Sequence, residues 1–263
     1  LSDVSDPGIT LVVDDHIAVV TVDRPPVNAV DRAAQIAIGE AFSSLNENKD
    51  VRVAVFTAAG DRAFIAGVDL RTVNQRVEDP SPTDITDPAR YVRDAFWSIT
   101  DCAVPVIGAI NGPALGAGLA YAACCDILLA SENATFGCTE INVGLLGASA
   151  HLSTLVGRHK ARELFFTGET ISAAELYRLG ALRAVVSRDQ LLSTAMELAA
   201  QLAKKSPIAL RLAKESMNRV EDLALKEAYR TEQDYTARLR QFDDSKEANA
   251  AFLEKRDPEW KWH

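Results

Sequence analysis

An α/β protein built of ββα units and completed by a helical C-terminal region is what this sequence predicts. Two observations carry the prediction. Short apolar runs alternate with amphipathic helical stripes through the first half, and beyond about Ser187 only helical patterns remain. The strand–helix–strand repetition argues for parallel strands joined by right-handed crossovers. No exact sequence repeat accompanies it, so the periodicity is structural.

Ile9–Val13 and His16–Val22 flank Asp14-Asp15 and read as a hairpin-like start. After the Arg24-Pro25-Pro26-Val27-Asn28 turn, a helix is expected from about Asp31 to Leu45, with Ala34, Ile38, Phe42 and Leu45 on one stripe. Val51–Thr57 reads as a buried strand, and a short helix is expected after Asp69, which would cap it. Glu78–Pro88, rich in Pro, Asp, Ser and Thr, reads as a surface loop. A helix over Pro88–Thr100, a strand over Val104–Ile110, a helix containing Leu119–Ala123 and a strand over Asp126–Ala130 follow, with Asp126 closing the turn into its strand. In the tail, Leu192, Met196, Ala199 and Leu202 form a stripe, and Ser206 caps a helix opened by Pro207. A last helix over about Asp222–Arg240 carries Leu225, Ala228, Tyr229, Tyr235 and Leu239, enough apolar positions to suggest packing on another subunit.

The 263 residues are 48% hydrophobic and 25% charged, an ordinary balance for a globular protein with a sizeable core. Lys+Arg number 28 against 37 Asp+Glu, a net charge of −9, and no Lys/Arg-rich run occurs, which argues against nucleic acid and against an anionic membrane surface. A phosphorylated ligand would rely on a few local cations. Cys102, Cys124, Cys125 and Cys138 form no C-x-x-C pair, and His16, His151, His159 and His263 are scattered, so reduced, packed thiols and no metal are expected. Neither a signal-peptide pattern nor an apolar stretch of about 18 residues is seen, so a cytoplasmic location is the expectation.

Two segments carry the chemistry: Arg62-Ala63-Phe64-Ile65-Ala66-Gly67-Val68-Asp69-Leu70 and Asn111-Gly112-Pro113-Ala114-Leu115-Gly116-Ala117-Gly118-Leu119. Each puts small residues where an apolar run meets a helix start, so a ligand can approach the backbone and meet N–H groups with no intrahelical partner. Facing one another, two such turns can aim two donors at one oxygen and hold an oxyanion.

In order and wording these turns resemble the crotonase superfamily, the enoyl-CoA hydratase/isomerase family, and the resemblance covers nearly the whole chain. Further matching stretches are Arg24-Pro25-Pro26-Val27-Asn28-Ala29, Cys125-Asp126-Ile127, Ala134-Thr135-Phe136-Gly137 with Glu140, Leu176-Tyr177-Arg178-Leu179-Gly180, Lys205-Ser206-Pro207 and Ala251-Phe252-Leu253-Glu254-Lys255-Arg256. The resemblance implies a crotonase-like spiral of ββα units over about residues 1–195 and a helical trimerisation region over 196–263, assembled as a trimer or a hexamer of two trimers. It implies an acyl-CoA thioester substrate, with coenzyme A as part of the substrate and no separate cofactor. Carried over residue by residue, the oxyanion-hole donors fall on the N–H groups of Val68 and Ala117, between Gly67 and Asp69 and after Leu115 and Gly116. Arg62 and Lys255 match positions that meet CoA phosphates, though both also read as solvated surface charges. Pro26, Val27, Ala66 and Leu70 match the pantetheine path.

The pattern breaks at one catalytic position. Hydratases of this family use two glutamates; the second matches Glu140, whereas the first is replaced by Ala120, which can neither accept nor donate a proton. Glu140, facing a dry pocket, would have a raised pKa suited to proton transfer. One-glutamate members include double-bond isomerases, and others cleave carbon–carbon bonds hydrolytically. The segment Gly144–Ser153 is similar to a branch containing a CoA-ring hydrolase of steroid-ring breakdown, where His151 would touch the acyl pocket or assist a water; a histidine satisfied within a helix is the other reading. The closing Glu254–Lys261 is similar to carnitinyl-CoA dehydratases. The function expected is therefore an enoyl-CoA hydratase/dehydratase or isomerase-type lyase with Glu140 as the proton shuttle. The alternatives are a C–C hydrolase of a cyclic β-ketoacyl-CoA and a non-catalytic acyl-CoA binding protein. The acyl group would be selected by the Thr72–Tyr91 region.

Overall fold

The computed structural model describes residues 7–72 and 79–263. The hairpin forms where the alternation placed it: β1 (Ile9–Asp14) runs antiparallel to β2 (Ile17–Val22), and Asp15 and His16 turn between them at positive φ. α1 (Arg32–Ser44) opens with the Asp31 carboxylate accepting the Ala34 N–H at 2.9 Å, a cap of a kind that contributes about 1 kcal/mol. β3 (Val53–Ala58) is buried along its whole length. Residues 69–72 form a turn, and the continuation of the helix expected after Asp69 lies outside the described residues.

The stretch read as a surface loop contains a helical turn, α2 (Pro82–Thr86). Ser81 and Asp84 form a reciprocal capping box, and Pro82 stands in the first turn. The residues that signal loops are also those that cap helices, which is why composition alone misread them. α3 (Arg90–Thr100), β4 (Val106–Ile110), β5 (Ala114–Leu115), α4 (Ala117–Ala123), β6 (Ile127–Ser131) and β7 (Thr135–Gly137) follow. After a short 3-10 helix (Thr139–Val143) come α5 (Ser149–Val156), α6 (Arg158–Thr167), β8 (Ile171–Ser172), α7 (Ala173–Arg178) and β9 (Ala184–Val186). The tail is α8 (Arg188–Ala203), α9 (Pro207–Val220), α10 (Leu225–Leu239) and α11 (Asp243–Glu254).

The larger sheet has the order β1-β2-β3-β4-β6-β9, parallel except for the first hairpin, and the smaller has the order β5-β7-β8. Parallel bridges from Val30 to Val68 and from Ile65 to Ala114 continue the smaller sheet's ladder back along the chain. Successive turns thus lay one strand in the large sheet, one extended piece in the second layer, and then a helix. This is the spiral of ββα units. One core packs Val20, Val22 and Phe56 against Ile38 and Phe42 of α1 and Leu119 of α4. The opposite face of the large sheet, with Val53, Val55, Ile107 and Leu129, is covered by α8.

α8 does so with Leu191, Ala195, Leu198, Ala199 and Ala203. Of the expected stripe Ala199 is buried there and Met196 and Leu202 pack against the same cluster, whereas Leu192 is 47% exposed. α8 also runs unbroken through residue 195, where the division between spiral and tail was expected. Ser206 caps α9 by accepting the Ala209 N–H, with Pro207 in the first turn. The buried Lys214 Nζ then docks α9 onto the core, donating to the carbonyls of Ile99 (3.0 Å) and Val104 (3.2 Å) and to Asp126 Oδ2 (2.7 Å). Asp126 also accepts the Val106 N–H at 2.7 Å and so closes the turn into its strand. In α10 Tyr235 is buried, whereas Leu225 and Tyr229 are exposed.

Candidate active site

The turns at Gly67 and Gly116 lie against one another. Leu115 N–H donates to the Ile65 carbonyl at 3.0 Å, and a Cβ on Gly118 would collide with that same oxygen, so only glycine permits the approach. Gly67 adopts φ +112° and Gly116 φ +53°, conformations that L side chains rarely accept. The parallel bridge at Val30 fixes which groups remain free. Val30 N–H donates to Gly67 O and Asp69 N–H to Val30 O, which leaves the Val68 N–H turned away from the ladder. Gly116 N–H is used by Gly137 O at 2.8 Å, and the α4 ladder begins with Ala120 N–H donating to Gly116 O. Ala117 therefore stands at the first position of the helix, where an N–H has no intrahelical partner and the helix dipole is positive. Among the described residues neither the Val68 nor the Ala117 N–H has a hydrogen-bond acceptor.

Glu140 lies in the 3-10 helix after β7, and its carboxyl reaches back over the turn. A Cβ built on Gly116 would overlap Oε1, and one built on Gly147 would lie 2.8 Å from it. Oε2 is buried without a hydrogen-bond partner. Burial pushes the carboxyl above its ordinary pKa, because desolvation disfavours the charged form. Cys138, two residues earlier, is pushed up to about 12 by its own burial and by the Glu140 charge, so it stays a thiol. Ala120 is 1% exposed, on α4 one turn beyond Ala117.

A cleft of about 690 Å³ runs along the Val68 turn, and Pro26, Val27, Ala66, Val68, Asp69 and Leu70 line it. Asn28 builds its wall: the buried side-chain amide donates to Ala59 O (2.9 Å) and Ala63 O (3.0 Å) and accepts the Arg24 N–H. Asp69 caps the 69–72 turn by accepting the Arg71 N–H at 3.0 Å, and hydrogen bonds from the Arg71 side chain hold its pKa down to about 2. Arg62 is exposed and Lys255 is an exposed residue at φ +56° ending α11; within one chain neither lines this cleft. The cations that do line it are Arg24 and Arg71, which sequence reasoning passed over. Arg24 is committed to Pro7 O, Ala29 O and Asp31, whereas Arg71, 87% exposed at the rim, is paired with Asp69 alone. Its position two residues after the capping Asp69 was the signal that could have found it.

His151 lies in α5, half-buried, with its ring tilted on Phe96 at 5.3 Å between centroids; burial pushes its pKa down, so the imidazole is neutral. Tyr121, on α4, also packs against Phe96, at 4.7 Å. All four cysteines are buried and free. Among the described residues no helix is long and apolar enough to cross a membrane.

A ββα spiral with two unpaired N–H groups at facing turns and a desolvated carboxyl beside them is the architecture of the crotonase superfamily. The chain belongs to its enoyl-CoA hydratase/isomerase family, whose model matches residues 13–263. It is 41% identical over 239 residues, 91% of this chain and 95% of the relative, to a (7aS)-7a-methyl-1,5-dioxo-2,3,5,6,7,7a-hexahydro-1H-indene-carboxyl-CoA hydrolase of Mycobacterium tuberculosis. It is 34% identical, over 93% of this chain and 94% of the relative, to a carnitinyl-CoA dehydratase of Salmonella arizonae. Among solved structures an enoyl-CoA hydratase from Bacillus anthracis superposes with a TM-score of 0.89 at 29% identity, covering 97% of this chain and all of that one.

Proposed function

We propose that the protein processes an acyl-CoA through a thioester enolate, and that its reaction is hydrolytic carbon–carbon cleavage of a cyclic β-ketoacyl-CoA. Ala120 carries the choice. A buried alanine stands where the two-carboxylate hydration pattern requires a glutamate, so Glu140 alone serves the oxyanion site. The 41% identical relative, named as a hydrolase of a dioxo bicyclic carboxyl-CoA, supports this reading.

One carboxylate suffices for that chemistry. The thioester oxygen sits between the N–H groups of Val68 and Ala117. Glu140 takes a proton from water as its oxygen adds to the β-ketone carbon. The bond between that carbon and the α-carbon then breaks, and its electron pair passes into the thioester enolate. Glu140, now protonated, returns its proton to the α-carbon, leaving a new carboxylic acid and an intact thioester. A carboxyl with a raised pKa serves both transfers, and each oxyanion donor is worth about 3 kcal/mol of transition-state stabilisation. Arg71 meets the CoA phosphates at the cleft rim. Leu225, Phe252 and Leu253, 84%, 82% and 79% exposed, are covered by further copies of the chain in a trimer or a hexamer.

The test is product analysis with 2-oxocyclohexanecarboxyl-CoA. Cleavage yields a dicarboxylic monothioester without free thiol; release of CoA thiol or saturable binding without product overturns the reading. Hydratase/dehydratase or isomerase action is the second reading, supported by the carnitinyl-CoA dehydratase relative. It is distinguished by turnover of an enoyl-CoA, followed by its absorbance.

A further inference from the structure

Beyond the oxyanion turn, α3, α4 and α5 pack together, and three aromatic side chains meet at their junction. Tyr121 and His151 both pack against Phe96, with centroid separations of 4.7 Å and 5.3 Å. Tyr121 is fully buried, one helical turn along α4 from Ala117, and its hydroxyl has no hydrogen-bond partner. Burial keeps the phenol protonated, so it is a donor. No hydrogen bond to the His151 ring nitrogens is formed among the described residues, and the ring is half-buried. An orphan buried hydroxyl is costly, and a hydroxyl and an imidazole both left unpaired beside a site demand an explanation. Phe96, itself only half-buried, is the side chain that both rings contact.

We propose that Tyr121 and His151 form the polar end of the acyl site and select acyl groups that carry a second oxygen, a ketone or hydroxyl on a ring or branched chain, over plain hydrocarbon chains. The substrate oxygen accepts from the Tyr121 hydroxyl when the Phe96 ring turns aside. Ala120, beside Tyr121, is buried and carries no carboxylate. A linear enoyl chain offers these groups nothing, and filling the site with hydrocarbon would leave both unpaired. This inference rests on the reading of the Val68 and Ala117 turn as the thioester site and adds the chemistry of the acyl group to it.

The experiment compares equilibrium binding of 2-oxocyclohexanecarboxyl-CoA and cyclohexanecarboxyl-CoA, by calorimetry, in the Glu140→Gln background so that neither is consumed. The oxo ester is expected to bind on the order of tenfold tighter, and adding Tyr121→Phe is expected to erase most of that preference while leaving the plain ester unchanged. His151→Phe, which keeps a ring against Phe96, is expected to reduce the preference as well. Equal binding of the two esters, or a preference untouched by Tyr121→Phe, overturns the proposal. A rise in Tm on Tyr121→Phe without a change in preference overturns it too, since that marks a merely unsatisfied core hydroxyl. Failure of both esters to bind overturns the acyl-CoA reading itself, a result distinct from equal binding.

Discussion

The Glu140 carboxyl rests on the bare α-carbon of Gly116, so close that a methyl group there would overlap Oε1. Gly116 is also the residue before α4, whose first N–H belongs to Ala117. One glycine therefore both makes room for the carboxyl and places the Ala117 N–H at the start of α4.

Replacing that carboxyl tests its chemistry. Glu140→Gln is expected to lower turnover by about 10²–10⁴-fold while leaving acyl-CoA affinity unchanged, since the amide keeps the shape. Steady-state rates and calorimetric binding check this. Full turnover in the variant would move the proton transfer to His151 or another group.

The raised Glu140 pKa has two pH signatures. As a base Glu140 works only when ionised, so the acid limb of kcat/KM is expected above the ordinary glutamate value of 4.5. With the folded pKa above the unfolded one, the native state favours the protonated form; that stabilisation is present below the unfolded pKa and is lost as pH rises through the folded pKa. The stability of Glu140→Gln relative to wild type, from urea unfolding, is expected to increase across that window and then level off. A pH-independent difference would contradict the assignment.

Ala120→Glu restores the missing carboxylate. Crotonyl-CoA hydration is expected to rise above the wild-type level, within the about 10²–10⁴-fold range of a general acid–base group. Because Ala120 is 1% exposed, thermal unfolding must accompany the assay. A folded variant with no gain, in an enzyme already hydrating at speed, would mean that another residue supplies the second function.

Lys214 is the tail's anchor, with its side chain 4% exposed and bound to Asp126 at 2.7 Å. Lys214→Met is expected to destabilise the fold by about 3 kcal/mol, because it strands a partly buried carboxylate and two carbonyls. Urea unfolding measures this. A loss below about 1 kcal/mol would show that apolar packing alone holds α9 in place.

A non-hydrolysable acyl-CoA analogue locates the oxyanion site directly. Its carbonyl oxygen is expected within about 3.5 Å of the Val68 and Ala117 nitrogens. A crystal structure with that oxygen distant from both would remove the basis of the enolate chemistry.

Much of this architecture was legible along the chain. Ala34, Ile38 and Phe42 recur at helical spacing and are all buried in α1, and Asp31 caps it because an aspartate before an apolar stripe supplies what the first N–H groups lack. The glycine turns were legible because only glycine tolerates their geometry. α11 went unread, as did α5, which starts from Ala148 in the left-handed region without a side-chain cap, and a start of that kind leaves no signal in residue type.

The sequence by itself determined the ββα order, the two glycine turns and the family, because local propensity, periodicity and glycine conformation are properties of neighbouring residues. Only the tertiary structure decided that Leu191 rather than Leu192 opens the buried face of α8 and that Arg71, not Arg62, lines the cleft. It also decided that Tyr121 and His151 share Phe96. Each of these depends on which segments distant in the chain come within a few ångströms, and burial, pairing and pKa follow from that contact rather than from residue type.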